Sequence, residues 1–334
     1  MTIQQLLKTA PVTTLLLISF IGLFIIQIFT GVDANNPSTE ALLKWGANAL
    51  PFTMGDEPWR LVSSAFLHIG LMHLLFNGFA MYFFGQVAEP MFGSAKFLAL
   101  FVLAAIGGNL LNSYVTWQDI LAGTGQPGLS AGASGGIMGI GAALLIAALF
   151  KISVNGMVLN LKSLIFIMGI NLVYGFAVSG IDNAGHIGGA ITGLVIALAF
   201  AIAYRQHMTV TLQNVLVPQI DYQNNNQLDT QNPYQTDYEN NDQADYSTSH
   251  IDQPSDPDAY STISSAEFDN HIDINLDTPT SAAHTNTIQQ RAPAKPSFIW
   301  TLLPWVVMLL ISIGFIWWWQ DIHYQIVQVL KIIE

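Results

Sequence analysis

The sequence contains no cysteine. Disulfide staples, thiolate nucleophiles and cysteine-ligated metal centres are therefore excluded, while the redox compartment is left undetermined. Charge is scarce as well: a tenth of the 334 residues are charged, and only ten are Lys or Arg. That is too little positive charge for a nucleic-acid partner, whose backbone demands a basic face. The net charge of −12 does not describe one acidic surface, because thirteen of the 22 acidic residues lie between Arg205 and Lys295.

What the chain has instead is apolar length. Apolar residues make up 51% of it, and the mean hydropathy is +0.44. A chain of this size could hold two ordinary soluble domains, but the runs decide otherwise. A helix needs about 20 mostly apolar residues to cross a hydrocarbon core of about 30 Å. Six such segments are expected over residues 12–31, 71–87, 95–115, 134–150, 159–178 and 184–204, and a seventh over 297–319. None alternates as a barrel strand does. The fold class is thus all-α and polytopic: a six-helix domain over 1–205, a linker over 206–296, the seventh span, and a short tail over 320–334. The first run exceeds the ~7–15 residues of a signal-peptide core, so it reads as a membrane helix and not a cleaved leader.

Residues 206–296 are rich in Asn, Gln, Asp, Ser and Thr, with few large aliphatic side chains. Such a segment cannot bury enough apolar area to offset its ordering entropy, and disorder is the expectation. A partner that binds this acidic tail is the sharper alternative. Lys and Arg near the helix ends set the orientation. With the N-terminus in the cytoplasm, Lys8, Lys96, Lys151, Lys162, Arg205, Arg291 and Lys295 fall inside, against Lys44, Arg60 and Lys331 outside. The connection between the first two spans is long and carries Trp45, Phe52, Trp59 and Phe66, so a structured external loop is expected there.

Polar side chains inside membrane helices are costly and mark function by default. His73 and Asn77 sit at i and i+4 near the start of the second helix. Ser134 opens the fourth within Gly132-Ala133-Ser134-Gly135-Gly136, and His186 opens the sixth. These three helices run in one direction, from outside to inside, so the polar groups share one depth just below the outer surface. A serine hydroxyl becomes nucleophilic when a base takes its proton, and histidine is the usual base. Glycines around the serine free amides at a helix start, and His73 and Asn77 can add N–H groups for an oxyanion. Asp182 precedes His186 closely but belongs to the loop before the sixth helix.

Blander readings exist for each part. Gly-Ala-Ser-Gly and Gly189-x-x-x-Gly193 are small-residue stretches that let membrane helices pack, and His68 alone reads as structural. A zinc site on His68, His73 and His186 is the rival chemistry. No His-Glu-x-x-His pattern supports it, and a spacing of five fits one helical face poorly. No metal or other cofactor is expected. The conjunction of one serine, one histidine and two donors at one depth is what packing does not explain.

These residues carry a family resemblance. His68-x-x-x-x-His73-Leu-x-x-Asn77, then Gly132-Ala-Ser134-Gly, then Gly185-His186-x-Gly-Gly189-x-x-x-Gly193 resemble the signature of rhomboid intramembrane serine proteases, in order, spacing and host helix. Glu57-Pro58-Trp59-Arg60 is similar to that family's Glu-x-Trp-Arg element. The resemblance spans roughly residues 10–205. It implies a Ser134–His186 catalytic dyad without an acidic third member, and an oxyanion hole of His73, Asn77 and the Ser134 backbone. It also implies that Trp59 and Arg60 hold the first loop in the outer leaflet, and that Gly189 and Gly193 bring His186 to Ser134. The implied activity is endopeptidase cleavage of single-span membrane proteins near the outer end of their span, within the lipid bilayer. Many relatives carry Tyr or Phe where this chain has Met138, and none of the implied chemistry needs a cofactor. A binder that delivers transmembrane segments elsewhere and a small histidine-lined transporter are the alternatives. The bacterial inner membrane is the expected location.

Overall fold

The structure, a computed structural model, describes residues 3–125, 128–152, 182–228 and 297–333, with seven positions between 161 and 169. Two compact units result: residues 1–215 with 294–334, and residues 216–293. The first contains the site. Most of the expected fifth span, and the linker over 229–296, lie outside the described residues.

Chain order starts with a short helix, α1 (Ile3–Thr9), and the first span, α2 (Pro11–Phe29). Proline suits the first helical position, where its missing N–H costs nothing. The remaining free amides find a carboxylate from far along the chain. Glu89 accepts from the Val12 amide at 2.9 Å, from the Thr13 amide at 2.7 Å and from the Thr13 hydroxyl at 2.8 Å. Ser94 Oγ donates to it as well, at 2.6 Å. Glu89 is buried, and it supplies the N-cap that α2 lacks in its own sequence.

The first loop folds into α3 (Thr39–Lys44), strand β1 (Asn48–Ala49), α4 (Leu50–Thr53), α5 (Arg60–Ser63) and a 3₁₀ turn at Ser64–Phe66. The second and third spans are α6 (Leu71–Phe92) and α7 (Ser94–Leu121). Strand β2 (Leu129–Ser130) then pairs antiparallel with β1, setting Asn48 opposite Ser130 and Ala49 opposite Leu129. It leads directly into α8 (Ser134–Leu149), which is followed by α9 (Asn183–Leu228) and α10 (Phe298–Ile333).

Among the described residues, five helices are long and apolar enough to cross a membrane: α2, α6, α7, α9 and α10. α8 is shorter, at 16 residues, or about 24 Å at ~1.5 Å per residue. Eleven of those residues are buried, against six of 19 in α2, so α8 is the enclosed central helix and α2 a peripheral one. Phe20, Phe97, Phe101, Met81, Leu100, Ile140, Leu144 and Ile196 pack the centre.

The observed helices outrun several expected ends. α6 continues past residue 87 because Glu89 is taken up internally as a cap. α9 continues past 205 to Leu228, carrying helix into the stretch read as linker. Over 320–333 the expected short tail is helical: α10 runs on to Ile333, and Ile322 is buried against Leu50, Met54, Leu61, Leu110 and Trp117. The last span, distant in sequence, packs along α7 within the first unit.

Candidate active site

Ser134 is the first residue of α8 and is half-buried. Its position follows from the shortness of that helix. A helix of about 24 Å cannot fill a core of about 30 Å, so the backbone ahead of it enters membrane depth without helical hydrogen bonds. Such backbone is tolerated only where protein or a water-filled cavity lines it. Here the lining is provided: the Gly132 amide donates to the Ser64 carbonyl at 2.9 Å, and β1–β2 pairing secures the residues just before it. Gly132 has φ +142°, a conformation L side chains rarely adopt.

Gly132 is required for a second reason. A methyl group on it would come within 2.6 Å of His73 Cε1 and 2.9 Å of Nε2, so the His73 ring lies directly over the turn that presents Ser134. The Ile69 amide donates to His73 Nδ1 at 3.3 Å. In the neutral ring that bond places the proton on Nε2, the edge against Gly132. Asn77, one turn later on α6, is buried and donates one N–H to the His73 carbonyl at 3.0 Å, leaving its second N–H as a donor.

His186 is buried in the first turn of α9. Its ring Nδ1 is enclosed without a hydrogen-bond partner among the described residues, which leaves Nε2 as the nitrogen available for a proton. The helix is brought in by a seam of glycines. A methyl group on Gly189 would collide with the Gly135 carbonyl, and one on Gly193 with the Gly139 carbonyl. From the other side, one on Gly139 would meet the Gly189 carbonyl at 2.9 Å, and one on Gly108 the Gly185 carbonyl at 2.5 Å. Backbone thus touches backbone where α8 crosses α9, with Ser134 and His186 each within a turn of the crossing. Ser134, Gly135, Gly185 and Asp182 line one small cavity together with Asn109.

Asp182 has a defined task. Its Oδ1 accepts from the Gly185 amide at 2.7 Å and from Asn112 Nδ2 at 2.9 Å, and its carbonyl accepts from the His186 amide at 3.1 Å. It caps α9 and ties that end to α7. Met138 is buried one turn below Ser134 and lines an apolar cavity shared with His186, Met168 and Ile191.

Trp59 and Arg60 part company. Trp59 is half exposed, its ring set against Gly46. The Arg60 side chain turns inward, pairs with Glu57 at 2.6 Å, and donates to the Leu43 and Ala47 carbonyls at 2.7 and 3.0 Å. Phe52 and Trp59 cover its guanidinium at 5.0 and 4.8 Å. Arg60 closes the loop on itself. His68, read as structural, lies in the loop before α6, fully enclosed between Phe20 and His73 at 5.3 and 5.4 Å. Burial, with the neighbouring His73 second, lowers its pKa to about 3, so it is neutral.

The motif reading missed Glu89 and the polar chain by which Asn48 and Asn112 reach Asp182. Asn109, which donates to the Leu61 carbonyl and Ser64 Oγ at 2.9 and 2.8 Å, was also missed. Glu89, Asn109 and Asn112 carried a signal, a carboxylate or an asparagine within an apolar helix, whereas Asn48 on its two-residue strand carried none.

A helical multi-pass membrane protein with a serine and a histidine near one enclosed helix crossing, and with a histidine ring over the turn before the serine, is the class these features define. Comparison with known proteins narrows it. The rhomboid domain model matches residues 55–203. The chain is 38% identical over 184 residues to rhomboid protease GluP of Bacillus subtilis, covering 55% of this chain and 34% of that one. It is 31% identical over 212 residues to rhomboid protease AarA of Providencia stuartii, covering 59% of this chain and 74% of that one. It is 33% identical over 159 residues to the mitochondrial RHOMBOID-like protein 6 of Arabidopsis thaliana, covering 47% and 48%. The chain belongs to the rhomboid family.

Proposed function

We propose that this chain is an intramembrane serine endopeptidase that cuts single-span membrane proteins near the outer end of their span. The carrying observation is the turn Gly132–Ser134, held under the His73 ring at the start of the enclosed helix α8 and pressed at Gly135 against the helix that bears His186. Ser134 Oγ attacks the scissile carbonyl carbon as His186 takes the hydroxyl proton. The oxyanion that forms is met by His73 Nε2–H, the free Asn77 N–H and the Ser134 amide, which at a helix start has no intrahelical partner. The intermediate collapses as His186 returns the proton to the leaving amine, giving an acyl-enzyme and a new amino terminus. Water, deprotonated by His186, then releases the acid and restores Ser134. A substrate span must unwind locally, since a carbonyl bonded within a helix is poorly exposed to attack.

The excess of Lys and Arg at one end of the spans supports a cytoplasmic N-terminus and a site opening to the outer side, in a bacterial inner membrane. The test is reconstitution of the purified chain in lipid with a model single-span substrate, beside Ser134→Ala and His186→Ala. Cleavage by the parent and its loss in both variants is expected. Equal cleavage by parent and Ser134→Ala would overturn the assignment of the nucleophile. Binding of several spans without cleavage of any would replace the enzyme with a binder.

A further inference from the structure

The outer end of α10 is bound to the first loop by two side chains. Trp319 Nε1 donates to the Thr53 carbonyl at 2.8 Å, and His323 Nδ1 donates to the Met54 carbonyl at 2.6 Å. The two rings stack on one another, 5.2 Å apart and 14° from parallel. Trp117 of α7 donates to Gln325 at 3.0 Å and fixes the helix beside them. Carbonyls at the end of a four-residue helix have no helical partners of their own, so these bonds satisfy what α4 leaves open.

The loop so held leads to both halves of the site. The Thr53 hydroxyl accepts from the Ala49 amide at 3.1 Å, joining α4 to β1. From β1 one arm runs across the strand pair to Leu129–Ser130 and on through Gly132 to Ser134. The other runs from Asn48 Nδ2 to Asn112 Oδ1 at 3.3 Å, then from Asn112 to Asp182 and the Gly185 amide beside His186. A lipid-facing helix needs neither of these donors on its outer extension, and Ile322 between them is fully enclosed.

We propose that Trp319 and His323 are positioning residues. The end of α10 latches the first loop and thereby sets the distance between Ser134 and His186 through the two arms of β1. This rests on the protease reading for its kinetic test, though not for its structural one. A coupled network of this kind is established only by measured coupling.

The test uses the full-length chain in proteoliposomes, comparing the parent with Trp319→Phe/His323→Leu and with Trp319→Phe/His323→Asn. Phe keeps the stacked ring without its donor, and Asn keeps a short donor toward Met54. Three quantities are measured: kcat and KM on a single-span substrate, the rate at which a fluorophosphonate probe labels Ser134, and amide hydrogen exchange over residues 129–134. In the Phe/Leu variant kcat and the labelling rate are expected to fall together by about tenfold, with KM within about twofold of the parent. Exchange over 129–134 is expected to quicken, and the Asn-bearing variant is expected to recover most of the loss. Unchanged exchange in the Phe/Leu variant overturns the latch. So does a rise in KM alone, which would mean the end of α10 meets substrate directly. A parent that neither cleaves nor labels refutes the protease reading and leaves the exchange measurement to judge the latch by itself.

Discussion

Replacing Gly189 with alanine adds one methyl group at the α8–α9 crossing, where it would collide with the Gly135 carbonyl. The closest comfortable approach of carbon to a carbonyl oxygen is about 3.3 Å. No flexible side chain can give way, because the obstacle is backbone at the start of an enclosed helix. The two helices must therefore part by an amount on the order of 1 Å, and a misplacement of that size costs about 100-fold in rate. Overpacking adds a stability loss of about 1–3 kcal/mol. Gly22→Ala is the matched control. A methyl there meets nothing within 4 Å, and alanine in place of a helical glycine stabilises by roughly 0.5–1 kcal/mol. The assay is kcat on a single-span substrate in liposomes, with the thermal midpoint of each variant in detergent. Gly189→Ala is expected to lose about two orders of magnitude in kcat at a temperature where it remains folded. Parent-like turnover would refute the seam as the element that sets the dyad.

Further expectations concern stability. Glu89→Ala leaves the buried Thr13 hydroxyl and the Val12 and Thr13 amides without their acceptor; at ~1–3 kcal/mol per stranded group the loss is several kcal/mol, read as a lowered thermal midpoint. Glu89→Gln keeps one acceptor oxygen and should fall between the parent and the alanine variant. His68 should make stability pH-dependent. Its folded-state pKa of about 3 lies below the ordinary 6.5, so the folded protein favours the neutral ring. That stability is complete above pH 6.5 and is lost as pH falls from there through about 3, a span worth roughly 5 kcal/mol. Thermal midpoints from pH 7 to 4 should fall less in His68→Gln than in the parent, and equal slopes would refute the assignment. Met138→Tyr should be accepted, since the apolar cavity beside His186 has room for a ring; a kcat below one-tenth of the parent's would show that the thioether is required.

The motifs were legible in the sequence because each carries its own physical mark. A histidine and an asparagine at i, i+4 in an apolar run and glycines flanking a serine at a helix start are local patterns. So is a second glycine pair spaced by four. What stayed illegible was non-local. Glu89 stands just beyond the expected end of its helix, next to Pro90, and only the fold shows that the amides of α2 need it. Strands of two residues show no alternation to read, yet β1 and β2 connect the first loop to the turn before Ser134. The tryptophans of the last span resemble interfacial anchors in sequence; that one of them meets a loop carbonyl 266 residues away is a property of the fold.

The cap on the first span also has a consequence in time. Thr13 and the carboxylate that satisfies its amide are separated by 76 residues. At a synthesis rate of about 5–20 residues per second, Glu89 emerges some ~4–15 s after Thr13. Through that interval the leading end of the first helix has no partner of its own and must be hydrated or sheltered by the insertion machinery. The bond between Trp319 and Thr53 closes later still, across 266 residues. Biogenesis therefore leaves its two ends open for different lengths of time, and a stalled ribosome would strand a different set of exposed backbone groups at each stage.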